Sequence, residues 1–112
     1  MAYSEDLAER VREELAAAGI ADIDEIKMYG GLAFMVRDKM CACIGGDDGE
    51  IVMMRVGKER YDELLQKSGA LPSIMKDKPI KGYIDLGVEG QKDLSFWVET
   101  ALKFNEELVN SN

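Results

Sequence analysis

The sequence predicts an α+β fold: an antiparallel sheet of about five strands packed with three helices, in the order α-β-β-β-β-α-β-α. Three observations carry this. Apolar residues recur at helical spacing near both ends of the chain, from Leu7 to Leu15 and from Leu94 to Leu108. Between Asp24 and Val56 the period falls to two, interrupted at Gly30-Gly31, Asp38-Lys39 and Gly45 to Gly49. Strands joined by turns this short must run antiparallel. A chain of 112 residues makes one domain, spanning residues 1–112, with one modest core.

Ser4 caps a first helix over residues 4–18, with Glu5 and Asp6 favourably placed in its first turn and Leu7, Val11 and Leu15 as its apolar stripe. Gly19 ends it, and Leu15 and Ile20 form the hydrophobic pair of a Schellman ending. The first strand alternates, with Ile26 and Met28 on an inner face and Glu25, Lys27 and Tyr29 on a wet one. The next three, Leu32 to Val36, Met40 to Ile44 and Ile51 to Met54, are apolar on both faces and so central. A second helix is expected over Lys58 to Lys67, then a loop from Pro72 to Pro79. Gly82 to Leu86 reads as a one-sided edge strand ended by a turn at Gly87 to Gly90. Gln91 to Val109 is the last helix, with Leu94, Trp97, Val98 and Ala101 facing inward. If two helices take one face of the sheet, a short third cannot cover the other. A groove or a surface for a second copy of the chain is then expected there, which makes a homodimer one expected assembly.

Fourteen basic against 22 acidic residues leave a net charge of −8, and such a balance repels phosphate backbones. Direct DNA binding is not expected, since Arg10, Arg12, Arg37, Arg55 and Arg60 scatter over separate elements. With no histidine in the chain, Ser-His-Asp and Cys-His catalysis and histidine metal ligands are excluded. No apolar run approaches bilayer length, so no membrane partner is expected. The acidic start, Met1 to Asp6, has no basic and apolar signal region, so the expected location is cytoplasmic. Cys41 and Cys43, about 6.6 Å apart on one strand, stand at the outer limit of disulfide geometry and read as free, mostly buried thiols.

Few residues suggest chemistry. Neither glycine pair opens a helix, so both read as turns or a bulge, with a positive φ expected at Gly30 or Gly31. Asp47 to Glu50 is too short for an EF-hand loop, and two cysteines without histidine make no zinc site, so no metal is expected. No carboxylate pair stands in an apolar setting. The methionines of the sheet region, Met28, Met35, Met40, Met53 and Met54, read as core filling in preference to an adaptable groove. Lys76, Lys78 and Lys81 crowd around Pro79 and could attract an anion or an acidic partner, although a solvated loop is the simpler reading.

Several segments together resemble a known family. They are Met1-Ala2-Tyr3, Lys27 to Val36 with its Met28-Tyr29-Gly30-Gly31-Leu32-Ala33-Phe34 core, Met40 to Cys43, Met54 to Gly57, Pro79 to Tyr83, and Trp97. In these residues the chain resembles the amino-terminal domain of the bacterial competence regulators TfoX and Sxy, which also occurs as a stand-alone small protein. The resemblance implies an α+β domain with no established catalytic residues and no cofactor. Its motif positions, Lys27, Met28, Gly30, Gly31, Leu32, Phe34, Gly57, Lys81, Gly82 and Trp97, then serve structure: glycines for backbone geometry, apolar residues for packing. Full-length members carry a second, carboxy-terminal domain that this chain does not contain, so a fold and a protein-binding role are what the resemblance implies.

The expected function is therefore a non-enzymatic binding or regulatory module acting through protein partners, akin to a domain of transcription regulators. The alternative is a small enzyme or ligand-binding protein using a groove on the apolar sheet face, with Cys41, Cys43 or the lysine segment as its polar elements. A cleft lined by convergent polar groups separates the second from the first.

Overall fold

A computed structural model of the protein describes residues 3–28, 30–46 and 48–110. Helix α1, Glu5–Ala17, starts where the Ser4 hydroxyl accepts a hydrogen bond from the Leu7 amide, 3.2 Å. It closes with the Gly19 and Ile20 amides donating to Ala16 and Leu15, the double bond of a Schellman motif. Six strands follow: β1 Ile23–Met28, β2 Gly31–Val36, β3 Lys39–Gly45, β4 Ile51–Arg55, β5 Ala70–Met75 and β6 Lys78–Leu86. They form one antiparallel sheet in the order β1-β2-β3-β4-β6-β5. Short helices α2, Tyr61–Leu64, and α3, Val88–Gln91, flank β6, and α4, Leu94–Asn110, crosses the sheet. The class is α+β as expected, with one more strand and one more helix among the described residues.

Helices α1, α2 and α4 share one core with one face of the sheet. Leu7, Val11 and Leu15 of α1 and Leu94, Trp97 and Ala101 of α4 pack on Phe34, Ile44, Val52, Met54 and Ile84, each almost fully buried. Fully burying one such side chain contributes about 1.5–3 kcal/mol. Trp97 has no exposed surface and meets Phe96 edge to face at 5.2 Å. Gln91 is buried at the mouth of this core, where its Nε2 donates to the Glu50 and Leu86 carbonyls, each at 2.8 Å.

The segment expected to be a loop from Pro72 to Pro79 is a hairpin. Lys76 and Asp77, at φ 52° and 64°, make its two-residue turn, as Arg37 and Asp38 do between β2 and β3. Both φ values positive is the I′ geometry that matches strand twist. Both prolines sit where their strand has a ladder partner on one side only, so a missing N–H breaks nothing. In consequence β6, expected at the edge, is interior, and β5 is the edge strand.

The expected helix over Lys58 to Lys67 shrinks to the single turn of α2. Its N-cap, Arg60, makes no capping hydrogen bond. The last helix starts at Leu94, after a break at Lys92-Asp93, because Gln91 is anchored in α3 and the Asp93 amide closes a tight turn to Gly90 at 3.2 Å. The turn expected at Gly87 to Gly90 is accordingly the start of α3.

On β1 the face assignment is reversed. Ile23 packs on the core and Glu25 lies on the same side, where it takes a bidentate bond from Arg12 of α1 at 2.6 and 2.8 Å. That bond holds the Glu25 carboxyl below its ordinary value. Ile26, expected inside, is 43% exposed on the opposite face. Period two identifies the strand, but it does not reveal which face the helices cover. Tyr29 lies outside the described residues.

Candidate functional site

The face of the sheet turned away from the helices carries a groove of about 340 Å³. Met28 of β1, Met40 of β3, Met53 of β4, and Met75 and Ile80 of the β5–β6 hairpin line it. The expectation that the sheet methionines fill the core holds for Met54 alone in full, since Met28, Met35, Met40 and Met53 are half-buried. Their strand positions fix this: Met53 pairs with Cys43 and Asp85, one residue out of phase with the core-facing Met54. Beside the groove, Leu71, Ile74 and Met75 of the edge strand are exposed.

This face also holds the polar groups nearest to chemistry. Burial pushes the half-buried Asp85 carboxyl up from its ordinary value, and a hydrogen bond from Ser73 pulls the other way. The Ser73 hydroxyl also lies 3.4 Å from Met53 Sδ. Cys43 lines the groove, and burial, assisted by the Asp85 charge, pushes its thiol up. Cys41 is buried, and its thiol is pushed up to about 12 by desolvation. Both cysteines are free. A raised thiol is a poor nucleophile, since the thiolate is the reactive form. Among the described residues no group of three His, Cys, Asp or Glu side chains is placed to hold a metal ion.

A second concavity, of about 390 Å³, lies at the far end of β4 and β6 against α4. Arg55 ends β4, Tyr83 stands opposite it on β6, and Phe104 reaches in from α4. The Arg55 guanidinium lies 5.8 Å from the Tyr83 ring centre and 5.7 Å from that of Phe104. Lys58, Arg60, Lys81 and Lys103 complete a basic lining, with Glu59 and Glu107 as its carboxylates. Gly57, at φ 88°, forms part of the wall; a Cβ there would strike the Phe104 ring. Its amide and that of Val56 both donate to the Gly82 carbonyl, at 3.1 and 2.9 Å, joining the two backbone segments of the wall.

The three lysines singled out in the sequence are not brought together. Lys81 lines the cleft and lies 4.0 Å from Asp62, whereas Lys76 and Lys78 stand exposed at and beside the tip of the hairpin. The motif positions divide as well. Leu32, Phe34 and Trp97 are core; Lys27 is exposed; Met28 and Gly31 line the groove; Gly57, Lys81 and Gly82 line the cleft. Gly30 takes φ 77°, and a Cβ on Gly31 would run into the Ile44 carbonyl oxygen. Arg55, Lys58, Lys103 and Phe104 are not singled out as site residues by the sequence: Arg55 is named among the scattered arginines and within the Met54 to Gly57 segment, and its one further signal is a charge closing an otherwise apolar strand.

No helix among the described residues is long and apolar enough to cross a membrane. The chain matches no family model, no curated protein and no solved structure.

Proposed function

We propose that the chain is a non-enzymatic binding module, akin to the amino-terminal domain of the TfoX and Sxy regulators, that docks a protein segment on the open face of its sheet. One observation carries the reading: that face is apolar, uncovered by helices, and lined by Met28, Met40, Met53 and Met75. Methionine is unbranched and polarizable, so a surface built from it repacks around different apolar partners. The chain's charge of −8 selects the partner's flanks, which are basic. The occupant is an amphipathic segment with an apolar stripe and lysine or arginine on either side.

The test is a titration of the protein, carrying ¹³C-methyl methionine, with a synthetic amphipathic Leu/Lys helix. The expected result is saturable shifts at Met28, Met40, Met53 and Met75, with the core residue Met54 unmoved, and loss of binding in Met75→Glu. Shifts spread over the helical side of the molecule, or none at all, overturn the reading. Light scattering on the free protein separates the remaining occupant, since a stable dimer through this face buries the methionines without any peptide.

A further inference from the structure

We propose that the cleft between Arg55, Lys81 and Lys103 binds a small phosphorylated molecule bearing a flat ring, of the mononucleotide class. The site adjoins the methionine groove, with Tyr83 lining both, but its cations line the cleft alone. Its charge opposes that of the chain: five cationic side chains line it against two carboxylates, in a protein of net −8. Of these five, Arg60 and Lys81 are paired with Glu63 and Asp62, as Arg12 and Lys92 are with glutamates elsewhere, whereas Arg55, Lys58 and Lys103 make no ion pair among the described residues.

Arg55 is the centre of the site. It is half-buried, and the two ring faces that flank it supply no negative charge to neutralise it. A guanidinium in that setting keeps its fork of donors for an incoming anion, and phosphate offers two oxygens at matching spacing. Lys58 and Lys103 approach from different elements, as several contacts to one multivalent anion require. Tyr83, Phe104 and Val56 make the remaining walls flat and apolar, which suits a ring better than a bare inorganic ion. A volume of about 390 Å³ falls in the range of small-molecule sites. A long polyanion does not fit the same description. Glu59 and Glu107 in the lining, with exposed Asp62 and Glu63 beside them, repel a backbone that continues past the cleft.

Isothermal titration calorimetry with AMP as the probe tests this, with pyrophosphate and a short single-stranded RNA as the other arms. AMP is expected to bind with a Kd on the order of 100 µM, and pyrophosphate at least about tenfold more weakly. Lys58→Glu and Lys103→Glu, at exposed positions where folding is not at stake, should each weaken AMP by about tenfold or more. Lys92→Glu makes the same charge change at α3 and should leave the affinity where it was. Arg55→Lys, which keeps the charge but loses the fork, should weaken it as well, with the melting curve confirming the fold. No saturable heat from AMP, an AMP affinity indifferent to Lys58 and Lys103, pyrophosphate binding as tightly as AMP, or RNA binding without AMP binding each overturns the proposal.

Discussion

Asn105, buried in α4, accepts a hydrogen bond from the Arg37 guanidinium at 2.9 Å, tying the last helix to the turn between β2 and β3. Its Nδ2 donates to the Val36 carbonyl, also at 2.9 Å, so one amide side chain satisfies two partners from the turn region. Asn105→Ala removes both bonds from a buried position. A cost of about 1–3 kcal/mol is expected in urea unfolding. Asn105→Asp keeps the acceptor for Arg37 but loses the donor to Val36, so it should also destabilise.

Trp97 is fully buried at the centre of the core, and its indole N–H has no acceptor among the described residues. Trp97→Ala should cost about 3–5 kcal/mol. Trp97→Phe removes the unpaired N–H together with one ring, so its cost should be well below that of Ala. The native protein should emit at the short wavelength of a buried indole and shift red on unfolding.

The two thiols should differ in reactivity. Cys41 is buried and its thiol stands at about 12, so it should resist a disulfide reagent in the native state. Cys43 is half-buried on the groove and should react slowly, faster as pH rises, with Cys43→Ser abolishing the native-state reaction. Rapid labelling of both at neutral pH contradicts this burial.

Asp85 makes stability depend on pH with a definite sign. Its folded carboxyl titrates above the ordinary value of 3.8, mainly because burial disfavours the charge. The native state therefore holds a proton that the unfolded state has released, and stability falls as pH rises through that window. Asp85→Asn should raise the melting temperature at neutral pH, and the gain should shrink as pH falls toward 3.8. A variant less stable than wild type at pH 7 contradicts the sign.

Duplex DNA should not bind usefully at roughly 150 mM salt. Of the five arginines, Arg12 and Arg60 pair with glutamates, Arg10 donates to the Gln91 carbonyl and Arg37 to Asn105. Arg55, Lys58 and Lys103 sit in the cleft beside Glu59 and Glu107, and Lys76 and Lys78 at the hairpin tip offer too few phosphate contacts to offset a net charge of −8. Fluorescence anisotropy checks this: submicromolar binding that weakens steeply with salt is the contrary result.

Local signals in the sequence were sufficient for class, the first helix and the central strands. Ser4, Gly19 and the Leu7-Val11-Leu15 stripe act within one element, and the unbroken apolar runs of β2, β3 and β4 mark them as central strands, although the helices cover only one of their faces. The β5–β6 hairpin was hidden because proline reads as a breaker unless its strand is known to lack a neighbour, and neighbours are a property of the sheet. The helix-covered face was hidden for a similar reason. Period two separates Ile23 and Glu25 from Ile26 and Met28, but only the packing of α1 and α4 says which set meets the core. The basic cleft depended on tertiary structure most of all. Arg55, Lys81 and Lys103 belong to two strands and a helix, and in sequence each alone reads as an ordinary cation. Antiparallel pairing of β4 with β6, and the crossing of α4 over them, brings these charges to one wall, because sheet register and helix packing set distances that sequence separation does not.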